Sequence, residues 1–160
     1  MNDIATGKPA TEAVAALELM TRALVGLTLQ SLRVLDGEVS LPQFRLLLVL
    51  SELGQVPSSR LAAELGMTAS SVTRLADRLE GAGLLVRGAD PRSRSIVTLE
   101  VTAAGVDLVA RVVERRHLLL AAVLERMEPG EREAAVRVAR RVSALSGDAA
   151  ALSATGPLPL

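Results

Sequence analysis

Residues 58–87 read SSRLAAELGMTASSVTRLADRLEGAGLLVR. Leu61 and Leu65 belong to a short helical pattern closed by Gly66, a residue that takes the left-handed conformation in which helices commonly end. Two positions on, Thr68 offers a hydroxyl to cap a new helix. Val72, Leu75, Ala76 and Leu79 follow at spacings of three and four, which puts them in one apolar stripe. Two helices joined by Gly66-Met67-Thr68 make a helix-turn-helix pattern. Gly81 and Gly83 end the second of them, and Leu84-Leu85-Val86-Arg87 reads as a short strand.

Downstream, the polar segment Gly88 to Ser95 turns the chain. Val97, Leu99 and Val101 then alternate with Ile96, Thr98 and Glu100, a second strand with one apolar row. Upstream, Pro57-Ser58-Ser59 opens the short helix. Ser40 with Gln43 three residues on forms a capping box, opening a helix over about 41–53 that stops at Gly54. Helices followed by a hairpin are the order of a winged helix.

Three longer helices frame this unit. The first starts at Thr11, carries Val14, Leu17, Leu24, Leu32 and Leu35, and is stopped by Asp36-Gly37. Thr102 caps a fifth helix reaching Met127, despite Gly105 in its first turn. Pro129 starts a sixth, with Val136, Ala139, Val142 and Leu145 at helical spacing to near Gly147. The expected fold is mainly α, about six helices plus a two-stranded wing. Expected boundaries are mobile tails over 1–10 and 148–160 and one domain over 11–145, its lobe at 41–101 flanked by helices over 11–36 and 103–147.

Composition agrees and excludes several function classes. The 160 residues are 49% hydrophobic, with one Phe and no Trp or Tyr, so the core is built from Leu, Val and Ala. Eighteen basic residues balance 18 acidic ones, so any anion-binding surface must be local. Lys8 is the one lysine; the other cations are arginines, which suits forked bonds to phosphate and guanine and suits GC-rich codon usage equally. With no Cys and one His there is no thiolate metal site, no cofactor site and no acid–base constellation, so an enzyme is not expected. The longest apolar run, Leu118 to Leu124, is far short of the roughly 20 residues of a membrane span, and a cytoplasmic protein without membrane attachment is expected.

The surface opposite the apolar stripe carries Ala69, Ser70, Thr73, Arg74, Asp77 and Arg78. Small residues at the start of that helix, with Thr68 and Ser71, let its N-terminus enter a major groove about 12 Å wide, where hydroxyls meet base edges and Arg forks onto guanine. Taken alone, these residues are better described as an ordinary amphipathic helix with a solvated face. Over 58–95, however, six arginines stand against four carboxylates. The hairpin tip Asp90-Pro91-Arg92-Ser93-Arg94-Ser95 adds arginines on a narrow ribbon, of a size to reach a minor groove, with Asp90 as a brace for a nearby Arg. Arg92, Ser93 and Arg94 are the wing candidates.

Residues 58–80, then Gly83-Leu84-Leu85-Val86-Arg87, Asp90-Pro91-Arg92-Ser93 and Leu99-Glu100-Val101-Thr102-Ala103-Ala104-Gly105, together resemble the MarR family of bacterial transcription regulators. The likeness extends over about residues 15–147. It implies a homodimer interleaving its first, fifth and sixth helices, a near-palindromic double-stranded operator, repression of transcription, and a small-molecule effector held between dimer helices and lobe. The apolar residues of those helices, Leu118-Leu119-Leu120 above all, independently exceed what one neighbour would cover, although a thick monomeric core would also use them. For an effector the candidates are Phe44, able to stack on a ring, and His117, the one imidazole of the sequence. Two departures stand out. Pro57 occupies the family's usual Ser or Thr cap, so Ser58 is expected to cap a helix shifted by one residue. Ser95 replaces a frequent second wing arginine, with Arg94 beside it. The alternative function is a winged-helix dimer that binds proteins or ligands without DNA; arginines on both helix and wing argue against it.

Overall fold

In the computed structural model, which describes residues 8–90 and 93–146, the chain runs from α1 (Lys8–Ser31) through a 3₁₀ turn (Leu32–Leu35) into α2 (Leu41–Leu53). Strand β1 (Val56–Pro57), α3 (Ser58–Leu65), α4 (Ala69–Gly81), β2 (Leu85–Asp90) and β3 (Ser93–Val101) follow, then α5 (Ala103–Glu125) and α6 (Pro129–Leu145). α1 begins three residues ahead of Thr11, with Pro9 in its first turn, a position where proline costs no hydrogen bond. Asp36 and Gly37, with φ of 43° and 81°, end the 3₁₀ turn in left-handed conformations, at the residues where the pattern breaks.

The helix-turn-helix is held by the groups its sequence supplies. Gly66 sits at φ 62°, and the Met67 N–H reaches the Ala62 carbonyl at 2.9 Å, so the last turn of α3 is closed. Thr68 Oγ1 accepts from the Ser71 N–H at 3.2 Å and caps α4. Val72, Ala76 and Leu79 are buried, with Leu75 packed at the edge of the core. Thr68→Ala should lower unfolding free energy by about 1 kcal/mol, measured by urea denaturation. An unchanged midpoint would show the cap to be dispensable.

α2 supplies the centre of the core. Its Leu46, Leu47 and Leu50 are fully buried beside Leu61 of α3, Val72 and Leu79 of α4, Leu85 and Leu99 of the sheet, and Leu108 and Val112 of α5. The Ser40 N–H donates to Gln43 Oε1 at 2.8 Å, so the expected return bond at the start of α2 is present. Thr28 and Ser31 are buried polar residues of α1; their hydroxyls donate to the Leu24 and Thr28 carbonyls, at 2.9 and 2.6 Å, which removes most of the cost of burying them.

The structure corrects three sequence expectations. The sheet has three strands in the order β1-β3-β2, all antiparallel, because Val56 and Pro57 pair with Leu99 and Thr98. A two-residue strand is too short to show alternation, and proline is tolerated there because β1 is an edge strand. That pairing holds Pro57 extended at the N-cap position of α3, so Ser58 lies inside the first turn and does not cap it. The wing strands also run further than the side-chain pattern indicates, β2 to Asp90 and β3 from Ser93. Backbone ladder bonds need no apolar side chains, and the pairing continues across Gly88 and Ala89 before its register shifts at Asp90. Thr98, on the polar row, is buried; Gln55 Nε2 donates to its Oγ1 at 3.2 Å.

The start of α5 is fastened to the turn after α4. The Thr102 N–H donates to the Leu84 carbonyl at 3.1 Å, and its hydroxyl donates to the Gly83 carbonyl at 2.7 Å while accepting from the Gly105 N–H at 3.2 Å. Further on, Arg111 Nη2 holds both carboxylate oxygens of Glu38 at 2.9 and 3.0 Å, joining α5 to the entry of α2. α6 has no buried residue. No helix among the described residues is long and apolar enough to cross a membrane.

Candidate nucleic-acid interface

With its stripe of Val72, Ala76 and Leu79 locked inward, α4 can only turn Ser70, Arg74 and Arg78 outward. These three are exposed, as are Thr68, Ala69 and Thr73; Ser71 is half-buried. Several hydroxyls are already occupied within the helix. Thr68 Oγ1 donates to Ser71 Oγ at 2.9 Å and lies 3.1 Å from Ser70 Oγ, and Thr73 Oγ1 donates to the Ala69 carbonyl at 3.0 Å. The arginines carry fewer such ties among the described residues. Arg74 makes one long contact, Nη2 to Ser71 Oγ at 3.5 Å, and neither Arg74 nor Arg78 joins an ion pair among the described residues.

Arg87 of β2 behaves differently. Its Nη2 lies 2.5 Å from Asp77 Oδ1 and donates to the Thr73 carbonyl at 3.3 Å, while Nη1 meets Glu80 Oε2 at 3.0 Å. Counted in the sequence as one more positive charge, it is instead committed to the two carboxylates of α4. A signal was present: Asp77 and Glu80 are one helical turn apart, with an arginine seven and ten residues on, beyond a glycine turn.

On the wing, Asp90 and Ser93 face each other across the hairpin, and Ser93 Oγ lies 2.9 Å from Ser95 Oγ. Arg92 and the side chain of Arg94 lie outside the described residues. The two effector candidates lie in different settings, one buried and one exposed. Phe44 is 4% exposed inside the core, so its ring is not available to a ligand; as the largest apolar side chain in a leucine-rich interior it serves as filler. His117 is exposed on α5. Among the described residues no group of three or more His, Cys, Asp or Glu could hold a metal ion.

An outward-facing second helix of a helix-turn-helix, followed directly by an antiparallel wing, defines a winged-helix protein. Residues 39–97 match the model of the MarR family. The crystal structure of RV1404 from Mycobacterium tuberculosis superposes with a TM-score of 0.79 at 32% identity, over 92% of this chain and 97% of that one. A MarR family protein from Bacillus stearothermophilus gives 0.70 at 28% identity, over 82% and 94%. The HTH-type transcriptional regulator YfiV of Bacillus subtilis is 31% identical over 97 residues, which is 61% of this chain and 61% of YfiV's own length. The chain belongs to the MarR family. The curated relatives that it matches in Bacillus subtilis, YfiV and YsmB, are named HTH-type transcriptional regulators.

Proposed function

We propose that this protein is a homodimeric regulator that binds a near-palindromic duplex operator and represses transcription by occupying a promoter. The observation that carries the reading is the state of Arg74 and Arg78. Two exposed guanidinium groups with no ion pair among the described residues, on the outward face of a rigidly seated helix, form a cationic edge narrow enough for a major groove. In this reading Ser70 and Arg74 meet base edges and Arg78 meets phosphate. Thr68 and Ser71 order the N-terminus of α4, whose free N–H groups favour a phosphate. Arg92, Ser93 and Arg94 follow the flanking minor groove, with Asp90 bracing the tip.

Dimerisation is supported by apolar surface left exposed among the described residues. Leu19 of α1 and Leu145 of α6 are each 67% exposed and Leu118 of α5 is 57% exposed, and α6 buries nothing. Such surface on three framing helices fits one self-complementary interface. Two lobes joined this way would present their α4 helices about one helical turn apart. The site of action is the cytoplasm. A small-molecule effector that favours a dimer with splayed lobes would release the operator through its differential affinity for the two states. Phe44 has no part in such a pocket.

The test is Arg74→Ala against duplex selected from random DNA. Binding should weaken by about 1 to 3 kcal/mol, and sequence preference should relax at one position per half-site. Unchanged affinity and preference would remove Arg74 from the base-reading set.

A further inference from the structure

We infer that Arg87 is a positioning residue for DNA binding, keeping Asp77 away from Arg74 so that Arg74 remains available to the groove; the inference rests on the DNA-binding reading above. Asp77 lies three residues after Arg74 and seven after Ser70, so all three share the outward side of α4. At that spacing an aspartate and an arginine are natural ion-pair partners. Yet the Asp77 carboxylate is drawn to Arg87, at 2.5 Å, and Arg74 keeps only its 3.5 Å contact with Ser71. Arg87 is well placed to hold it. Its side chain is 30% exposed against 53% for Asp77, and it is fixed by Glu80 and by the Thr73 carbonyl as well.

This arrangement has two electrostatic effects. It lessens the repulsion between Asp77 and the phosphates beside α4, and it leaves Arg74 without an internal competitor. With Arg87 gone, the Asp77 carboxylate turns to Arg74 and removes it from the DNA. The guanidinium also ties the base of the wing to the recognition helix, but a tie alone predicts a different mutational pattern. If only the tie mattered, loss of Asp77 would weaken binding as loss of Arg87 does. If the relief of Arg74 matters, loss of Asp77 repairs the loss of Arg87.

The test uses the full chain as wild type, R87Q, D77N and R87Q/D77N on the selected duplex, with thermal unfolding measured in parallel. R87Q should bind about tenfold more weakly and relax preference at the position that R74A relaxes. D77N should bind as tightly as wild type or tighter. The double variant should return to within about twofold of wild type, since the competing carboxylate is gone. A double variant as weak as R87Q, a D77N variant weakened like R87Q, or an R87Q variant equal to wild type would each overturn the inference. Wild type that selects no duplex would instead defeat the DNA-binding reading, and this inference with it.

Discussion

Val138→Glu together with Val142→Glu is expected to turn a dimer into monomers and to weaken operator binding at least about a hundredfold, the scale of avidity lost when two linked sites become one. Both valines sit on α6, at 46% and 39% exposure, one turn apart and in line with Leu145. No residue of α6 is buried, so neither valine is packed into the core of the described residues. Two carboxylates placed there would be desolvated and close to one another in a dimer, whereas in a monomer they cost almost nothing. Because α6 buries no residue, the winged-helix lobe should keep its helical circular dichroism and cooperative unfolding. Light scattering gives the mass, and titration of the selected duplex gives the affinity. A variant that stays dimeric and binds as wild type would show that the α6 stripe is not the joint.

Gly105→Ala should destabilise the fold by about 3 kcal/mol, at the upper end of ordinary overpacking. A β-carbon there would overlap the Leu84 carbonyl oxygen and lie 2.6 Å from Val101 Cγ1. The carbonyl cannot retreat, because it accepts the Thr102 N–H in the junction between α4 and α5. Urea unfolding measures the loss, and Gly130→Ala on α6 is the control. Nothing lies within 4 Å of a β-carbon at Gly130, so alanine there should be neutral or slightly stabilising through helix propensity. Equal effects at both glycines would refute the close approach as the cause.

Much of this architecture is legible without coordinates, for reasons that differ from element to element. Gly66, Thr68 and the stripe from Val72 to Leu79 announce their own geometry, since left-handed closure, capping and helical periodicity are local properties. The same holds for Asp36-Gly37 and Thr102. What escapes is whatever depends on a distant partner. β1 exists only because Leu99 and Thr98 come alongside Val56 and Pro57. Gly105, an apparent flaw in a helix start, is required by a carbonyl 21 residues earlier in the chain. Phe44 looks available to a ligand because aromatic rings are scarce here, yet packing, not scarcity, decides where a ring goes.

The candidate interface divides in the same way. Arg74 and Arg78 follow from helical phase, because an inward stripe dictates an outward face. Arg87 does not, since its charge could as well have pointed to solvent, and only the approach of β2 to α4 commits it to Asp77 and Glu80. Net charge over a segment is therefore a poor guide to charge on a surface. Arg87 is occupied by α4, while Arg74 and Arg78 join no ion pair among the described residues.

In the function proposed, α4 and the wing form an outward, paired surface fitted to duplex DNA. Selecting bound fragments from a pool of random duplex with the full chain tests it most directly. The expected result is enrichment of two inverted half-sites with centres about one helical turn apart, one for each α4 of a dimer. A pool that shows no enrichment, or one that yields a lone asymmetric site bound by a single chain, would contradict it.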